Sequence, residues 1–171
     1  QTLLNERGEP LVGSKDVSMP RDGSWIFKIE GGAEVHTKTS DNVAKIAGEA
    51  PDAILVVESG QQNEEVFAAV LGRALEKNAP VLFSGTFEKS GPWYTEQWER
   101  WQHDNSLGAK SYSLPTWSNT HIFPEGKDDP RFKEFTATVP SDLYMVGIEA
   151  IPHRPRGLVF RSDYDEEKHV V

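Results

Sequence analysis

Two short apolar runs stand in the middle of the chain: Ala53-Ile54-Leu55-Val56-Val57, closed by Glu58, and Val81-Leu82-Phe83, closed by Ser84-Gly85-Thr86. Between them, from Asn63 to Lys77, Val66, Phe67, Val70, Leu71, Ala74 and Leu75 recur at three- and four-residue intervals, which lays one apolar stripe along a helix. Asn78 is expected to stop that helix and Pro80 to open the second strand. The whole reads as one right-handed strand-helix-strand crossover whose strands are buried on both faces. Glu58 and Ser84-Gly85-Thr86 would then stand at the strand ends, where open α/β sheets carry their chemistry.

The flanks are more irregular. Residues Gln1 to Asp22 have few apolar positions and read as a loop or partly disordered leader. From Ser24 to Thr39 the pattern alternates, with Trp25, Phe27 and Ile29 on one side, a Gly31-Gly32 turn and Val35 after it, which predicts a hairpin. Gly48 and Pro51 keep the stretch from Asn42 to Ala50 from forming a long helix. Beyond the crossover, Tyr94, Trp98 and Trp101 fall at helical spacing between about Pro92 and His103, with Trp93 beside them, an aromatic stripe of the kind that packs a core. Ala109 to Leu114 predicts a mostly polar strand, and Pro115 to Pro130 a structured loop. Asp128-Asp129-Pro130 offers a cap and first-turn proline for a short helix through Thr136, and Pro140 or Ser141 starts another. Leu158-Val159-Phe160 and His169-Val170-Val171 read as strands around an acidic turn; the chain ends inside the second, as a segment of a longer protein would. No internal repeat is visible.

With 171 residues and 37% hydrophobic content the chain is large enough for a core without covalent staples, and it has no cysteine, which removes disulfides, thiolate metal sites and thiol catalysis. No apolar run approaches the roughly 20 residues that span a bilayer and no leader pattern opens the chain, so a soluble protein is expected. A net charge of −9 is the wrong sign for holding nucleic acid by phosphate neutralisation alone. The single basic cluster, His153-Arg154-Pro155-Arg156 with Arg161, runs at once into Asp163, Asp165, Glu166 and Glu167, and reads as a solvated linker of mixed charge.

Gly8-Glu9-Pro10-Leu11-Val12-Gly13-Ser14-Lys15 nearly spells the phosphate-binding loop G-x-x-x-x-G-K-[ST]. It lacks the strand before and the long helix after, and its lysine comes one position late, so it reads as a coincidence in a glycine-containing loop. Glu58 carries more weight. An acid after consecutive buried apolar residues is what nucleotide-hydrolysing motors use to hold Mg²⁺ or orient the attacking water, although most isolated strand-end glutamates simply face solvent. Ser59, Gln61 and Gln62 next to it carry polar groups able to orient water. Ser84-Gly85-Thr86 could bring hydroxyls near Glu58 or serve as an ordinary turn, the two readings being even on spacing. The scattered histidines, His36, His103, His121, His153 and His169, have no metal-site pairing, and no G-x-S-x-G elbow is present.

Taken in order, Ile54-Leu55-Val56-Val57-Glu58-Ser59-Gly60-Gln61, then Leu82-Phe83-Ser84-Gly85-Thr86-Phe87-Glu88 followed by Trp93-Tyr94 and Trp98, then Ser113-Leu114-Pro115-Thr116-Trp117-Ser118-Asn119, Phe123-Pro124 and Asp128-Asp129-Pro130, resemble the large terminase subunit of tailed bacteriophages, the motor that pumps DNA into the procapsid. The resemblance covers Ile54 to Pro130. It implies an α/β fold: a partial P-loop (RecA-like) ATPase domain with a mostly parallel sheet flanked by helices. Glu58 would be the catalytic carboxylate and the Mg²⁺ ligand, and Ser84, Gly85 and Thr86 the coupling motif that contacts ATP. Many relatives carry an Asp-Glu pair where Val57-Glu58 stands here. The implied organisation is a flexible leader over 1–23, an incomplete ATPase domain over 24–157 that lacks the phosphate-binding loop and is inactive alone, and over 158–171 the start of a connection to a nuclease domain. Double-stranded DNA, the portal protein and the small terminase subunit are the implied partners of a homo-oligomeric motor in the host cytoplasm, with no membrane involved.

Two other readings stand beside it. A non-catalytic interaction module would expose Tyr94, Trp98 and Trp101 as a docking patch. Another P-loop motor, such as a helicase piece, would share the strand-end acid.

Overall fold

The computed structural model of the protein describes residues 24–152 except 30, 47, 49, 105 and 107, together with Arg7, Pro10, Val12, Val17 and Ser18. Most of the glycine-containing loop at 8–15, the basic cluster and the two expected strands at 158–160 and 169–171 lie outside the described residues. The chain divides into two compact units, one made of 1–56 and 62–82, the other of 57–61 and 83–171.

In the first unit, β1 (Val17–Ser18), β2 (Ile26–Lys28) and β3 (Glu34–His36) form an antiparallel sheet in that order. Phe27 sits opposite Val17 on one side and Val35 on the other. The expected hairpin is present: Gly31 and Gly32 have φ of 98° and 89°, backbone that side-chain-bearing residues avoid, and the turn closes with Ile29 N–H to the Ala33 carbonyl at 2.8 Å. Beyond β3, Thr37 and Trp25 exchange two further bonds of 2.8 Å. Val17 and Ser18, within the stretch read as a loop or leader, pair with the free edge of β2; two residues are too short a run for alternation to reveal.

The crossover follows as β4 (Ile54–Val56), α1 (Glu64–Leu75) and β5 (Val81–Phe83), with β4 and β5 paired. Ile54 N–H donates to Pro80 O at 3.0 Å and Ser59 N–H to Ser84 O at 2.9 Å, partners that advance together, as parallel strands require. The Asn63 side chain caps α1 by accepting from Glu65 N–H, with Glu64 and Glu65 in the first turn, where acids suit the helix dipole. Asn78 ends the helix in the left-handed conformation at φ 52°, and Ala79 N–H closes the last turn on the Ala74 carbonyl. Of the predicted stripe, Val66, Val70 and Ala74 are buried, while Leu71 and Leu75 turn outward. Burial of the strands on both faces is also corrected. Leu55, Val57 and Leu82 are 62%, 59% and 63% exposed, because a two-stranded pair has a second face that no described element covers.

In the second unit, α2 (Pro92–His103) starts at a first-turn proline, as predicted. Its aromatic stripe packs inward: Phe87 lies 5.3 Å from Trp98, edge to face, and 5.7 Å from Tyr94, and Phe83 lies 6.2 Å from Trp101. Trp93, beside the stripe, is the most buried of these aromatics. No strand forms at Ala109 to Leu114. Ser111 and Ser113 turn in because their hydroxyls donate to the Trp98 and Ala150 carbonyls at 2.5 and 2.9 Å, leaving Tyr112 and Leu114 exposed. The Gln102 amide takes the Ser111 carbonyl at 2.8 Å, so side chains satisfy this backbone in place of a ladder.

Short 3-10 turns at Thr116–Ser118 and Gly126–Asp128 lead into α3 (Pro130–Thr138) and α4 (Ser141–Gly147). Buried Asp129 caps α3, accepting from Arg131 N–H at 3.1 Å while the Arg131 guanidinium grips both carboxylate oxygens at 2.8 and 2.6 Å. Those hydrogen bonds hold the Asp129 carboxyl below, and Arg131 above, its ordinary range. The same guanidinium sits 4.5 Å from the Phe123 ring, which packs 4.6 Å from buried Phe132.

Candidate functional site

At the end of β4 the backbone makes a sharp turn. Glu58 has φ 53°, a left-handed conformation that costs an ordinary side chain roughly 1–2 kcal/mol. Such outliers persist where neighbouring contacts over-determine them, and here three hydrogen bonds do so. Ser59 N–H donates to the Ser84 carbonyl at 2.9 Å, Gln61 N–H to the Glu58 carbonyl at 3.0 Å, and Gly91 N–H to the Gly60 carbonyl at 2.8 Å.

The consequence is that the tips of both strands meet. Glu58, Ser84, Gly85 and Thr86, the four residues singled out from the sequence, come together in one unit and all are exposed. Ser59 has no exposed surface, so it cannot orient water as the sequence suggested; Gln61 remains exposed and can. The Ser90 hydroxyl is likewise turned away, donating to the Phe87 carbonyl at 3.0 Å.

Two residues of the site were not anticipated. Gly60 lies so close to the Ser84-Gly85-Thr86 turn that a β-carbon on it would stand 2.5 Å from the Thr86 carbonyl oxygen. Tyr94, read from periodicity as a core residue, reaches the same place: that β-carbon would be 3.2 Å from its ring. Burial, and then the negative charge of Glu58, push the Tyr94 hydroxyl pKa up. A glycine two residues past a strand-end acid was the visible signal for the first; nothing local marks the second.

Chemically, the turn offers one carboxylate, the exposed side chains of Ser84, Thr86 and Gln61, and a rigid backbone beneath them. Among the described residues no three His, Cys, Asp or Glu side chains gather where they could hold a metal ion, and no helix is long and apolar enough to cross a membrane. One carboxylate with neighbouring hydroxyls and water is nonetheless a donor set that suits Mg²⁺, which keeps several waters and takes the rest of its shell from phosphates.

No protein-family model matches the sequence, and no curated protein does. Among solved structures the chain is similar to a point mutant of the large terminase ATPase domain of Thermus phage P74-26, with a TM-score of 0.56 and 16% identity over 80% of this chain. The chain shares the fold of that ATPase domain. It spans 63% of that domain's length. The α/β class read from the sequence is thus the observed one, and at this identity the likeness concerns the fold, leaving residue roles to the geometry above.

Proposed function

We propose that this chain is part of an ATP-driven motor that packages viral DNA. The observation that carries the reading is the Ser59 to Ser84 hydrogen bond at the carboxyl ends of a parallel strand pair, which brings the Glu58 turn against the Ser84-Gly85-Thr86 turn. The fold likeness to a terminase ATPase domain supports it. So does the inward packing of Tyr94 and Trp98 around Phe87, which removes the open aromatic patch that a docking module would display.

In this reading Glu58 polarises the water that attacks the γ-phosphate of ATP and is the protein ligand of Mg²⁺, whose role when bound is to neutralise phosphate charge. Ser84, Gly85 and Thr86 contact the nucleotide and register the loss of the γ-phosphate, a change passed on to the parts that grip DNA. Double-stranded DNA, portal protein, small terminase subunit and further copies of the motor subunit are the partners the proposal entails, in the host cytoplasm. The negative charge of the chain agrees with DNA contacts made elsewhere in the motor.

The test is Glu58→Gln in the motor subunit that carries this sequence. Turnover of ATP should fall by about 100-fold or more while nucleotide binding persists. Retained hydrolysis would remove Glu58 from the catalytic role.

A further inference from the structure

Neither Gly60 nor Gly85 is among the glycines of positive φ, so the backbone at both positions is open to any residue. What excludes a side chain is space. A β-carbon on Gly60 would stand 2.5 Å from the Thr86 carbonyl oxygen and 2.9 Å from Ser90 Cβ; one on Gly85 would stand 2.9 Å from the Ser59 amide nitrogen, 3.0 Å from the Gly60 amide nitrogen and 3.4 Å from the Glu58 carbonyl carbon. Each glycine therefore occupies the room that the other turn's main chain needs. Contacts of this kind contain no rotamers to absorb a shift, so a displacement of one turn by a few tenths of an ångström must move the other. The Gly60 carbonyl in turn accepts the Gly91 N–H at the cap of α2, and the Tyr94 ring lies against Gly60 one turn into that helix.

We propose that Gly60 and Gly85 are positioning residues that lock the Glu58 turn, the Ser84-Gly85-Thr86 turn and the start of α2 into one mechanical piece, so that α2 is the first element to receive a movement of either strand tip. Its use in turnover rests on the function proposed above; the lock itself does not. Tyr94 supplies an independent report, because its hydroxyl is shielded by the same packing and feels the Glu58 charge.

Amide exchange in the 171-residue chain tests the lock. Gly85→Ala should raise exchange at Ser59 and Gly91 by about tenfold or more, leave Ile54, bonded to Pro80 within the parallel pair, unchanged, and lower the Tyr94 midpoint in an ultraviolet titration, with Tyr94→Phe assigning that transition. Unchanged exchange at Ser59, or an equal rise at all three amides, overturns the proposal, since the glycines would then be neutral or would serve stability alone. Should Gly85→Ala fail to fold, the parent chain reads the same link without a substitution: Ser59 and Gly91, bonded to Ser84 and Gly60, should open together, and protection factors that differ by more than about tenfold between them reject it. In the motor subunit, Gly60→Ala, at a buried glycine given no nucleotide contact, should lower kcat by about tenfold or more with KM for ATP within about twofold. A normal kcat in Gly60→Ala beside a dead Glu58→Gln would reject the positioning role and leave the catalytic reading standing.

Discussion

Replacing Glu58 by glycine should stabilise the protein, and the size of the gain follows from the backbone. At φ 53° the residue carries a left-handed penalty of roughly 1–2 kcal/mol, which glycine does not bear. Against that stands the extra freedom glycine gives the unfolded chain, about 0.4–1 kcal/mol. The carboxylate is exposed, so its removal sacrifices no packing. The difference is a net gain of roughly 0–1.5 kcal/mol, or about 2–4 °C in Tm per kcal/mol for a chain of this size. Glu58→Gln keeps the backbone penalty and should leave Tm within about 1–2 °C, a shift of under ~0.5 kcal/mol. Thermal and urea unfolding of the wild type and both variants, followed by circular dichroism, measure the three values. A loss of stability above about 1 kcal/mol in Glu58→Gly, beyond what the two opposing terms allow, would refute the reasoning, since the side chain itself would then be holding the turn. The expected pattern is that of a residue whose backbone strain is held by the contacts around it at a cost in stability.

Two further outcomes follow from local geometry. Asn78, left-handed at φ 52° behind α1, should tolerate glycine with no loss, whereas Asn78→Ala should cost about 1 kcal/mol in urea unfolding. For Asp129 the folded pKa is depressed, chiefly by hydrogen bonds from Arg131, so its stabilisation is present above the unfolded value of about 4 and is lost as pH falls through the lower folded value. Asp129→Asn keeps a capping oxygen but should flatten that acid-side decline in Tm measured from about pH 2 to 6, and parallel curves for the two proteins would show that the Arg131 pairing does not act through the charge.

The parts of this architecture that sequence made legible are those written in local periods. The stripe over Asn63 to Lys77, the aromatic spacing over Pro92 to His103, the Gly31-Gly32 turn, the stop at Asn78 and the cap at Asp129 each have a short-range cause and appear where expected. Contacts between distant segments left no such trace. Gly60 against Thr86 and Tyr94 depends on two turns meeting through space, and a glycine of ordinary φ gives no conformational warning. The polar strand expected from Ala109 to Leu114 does not form, because the hydroxyls of Ser111 and Ser113 turn inward toward carbonyls that only the folded chain supplies. A continuous apolar run, equally, does not say which of its faces is covered.

That last ambiguity is open to measurement on β4 and β5. Leu55 and Leu82 are each more than half exposed, on neighbouring strands whose other positions are half-buried. Changing both to threonine keeps side chains suited to strands and removes little buried surface, so the double variant should stay within about 0.5 kcal/mol of the parent. Had the strands been buried on both faces, as their uniform apolar character suggested, truncating a single leucine would cost about 2–5 kcal/mol. The two expectations differ by several-fold, well beyond the error of an unfolding curve. Light scattering at rising concentration supplies a second reading, because adjacent exposed leucines favour self-association and threonines do not. A loss above about 2 kcal/mol in the double variant, in the range that burial dictates, would mean that this face is covered in solution.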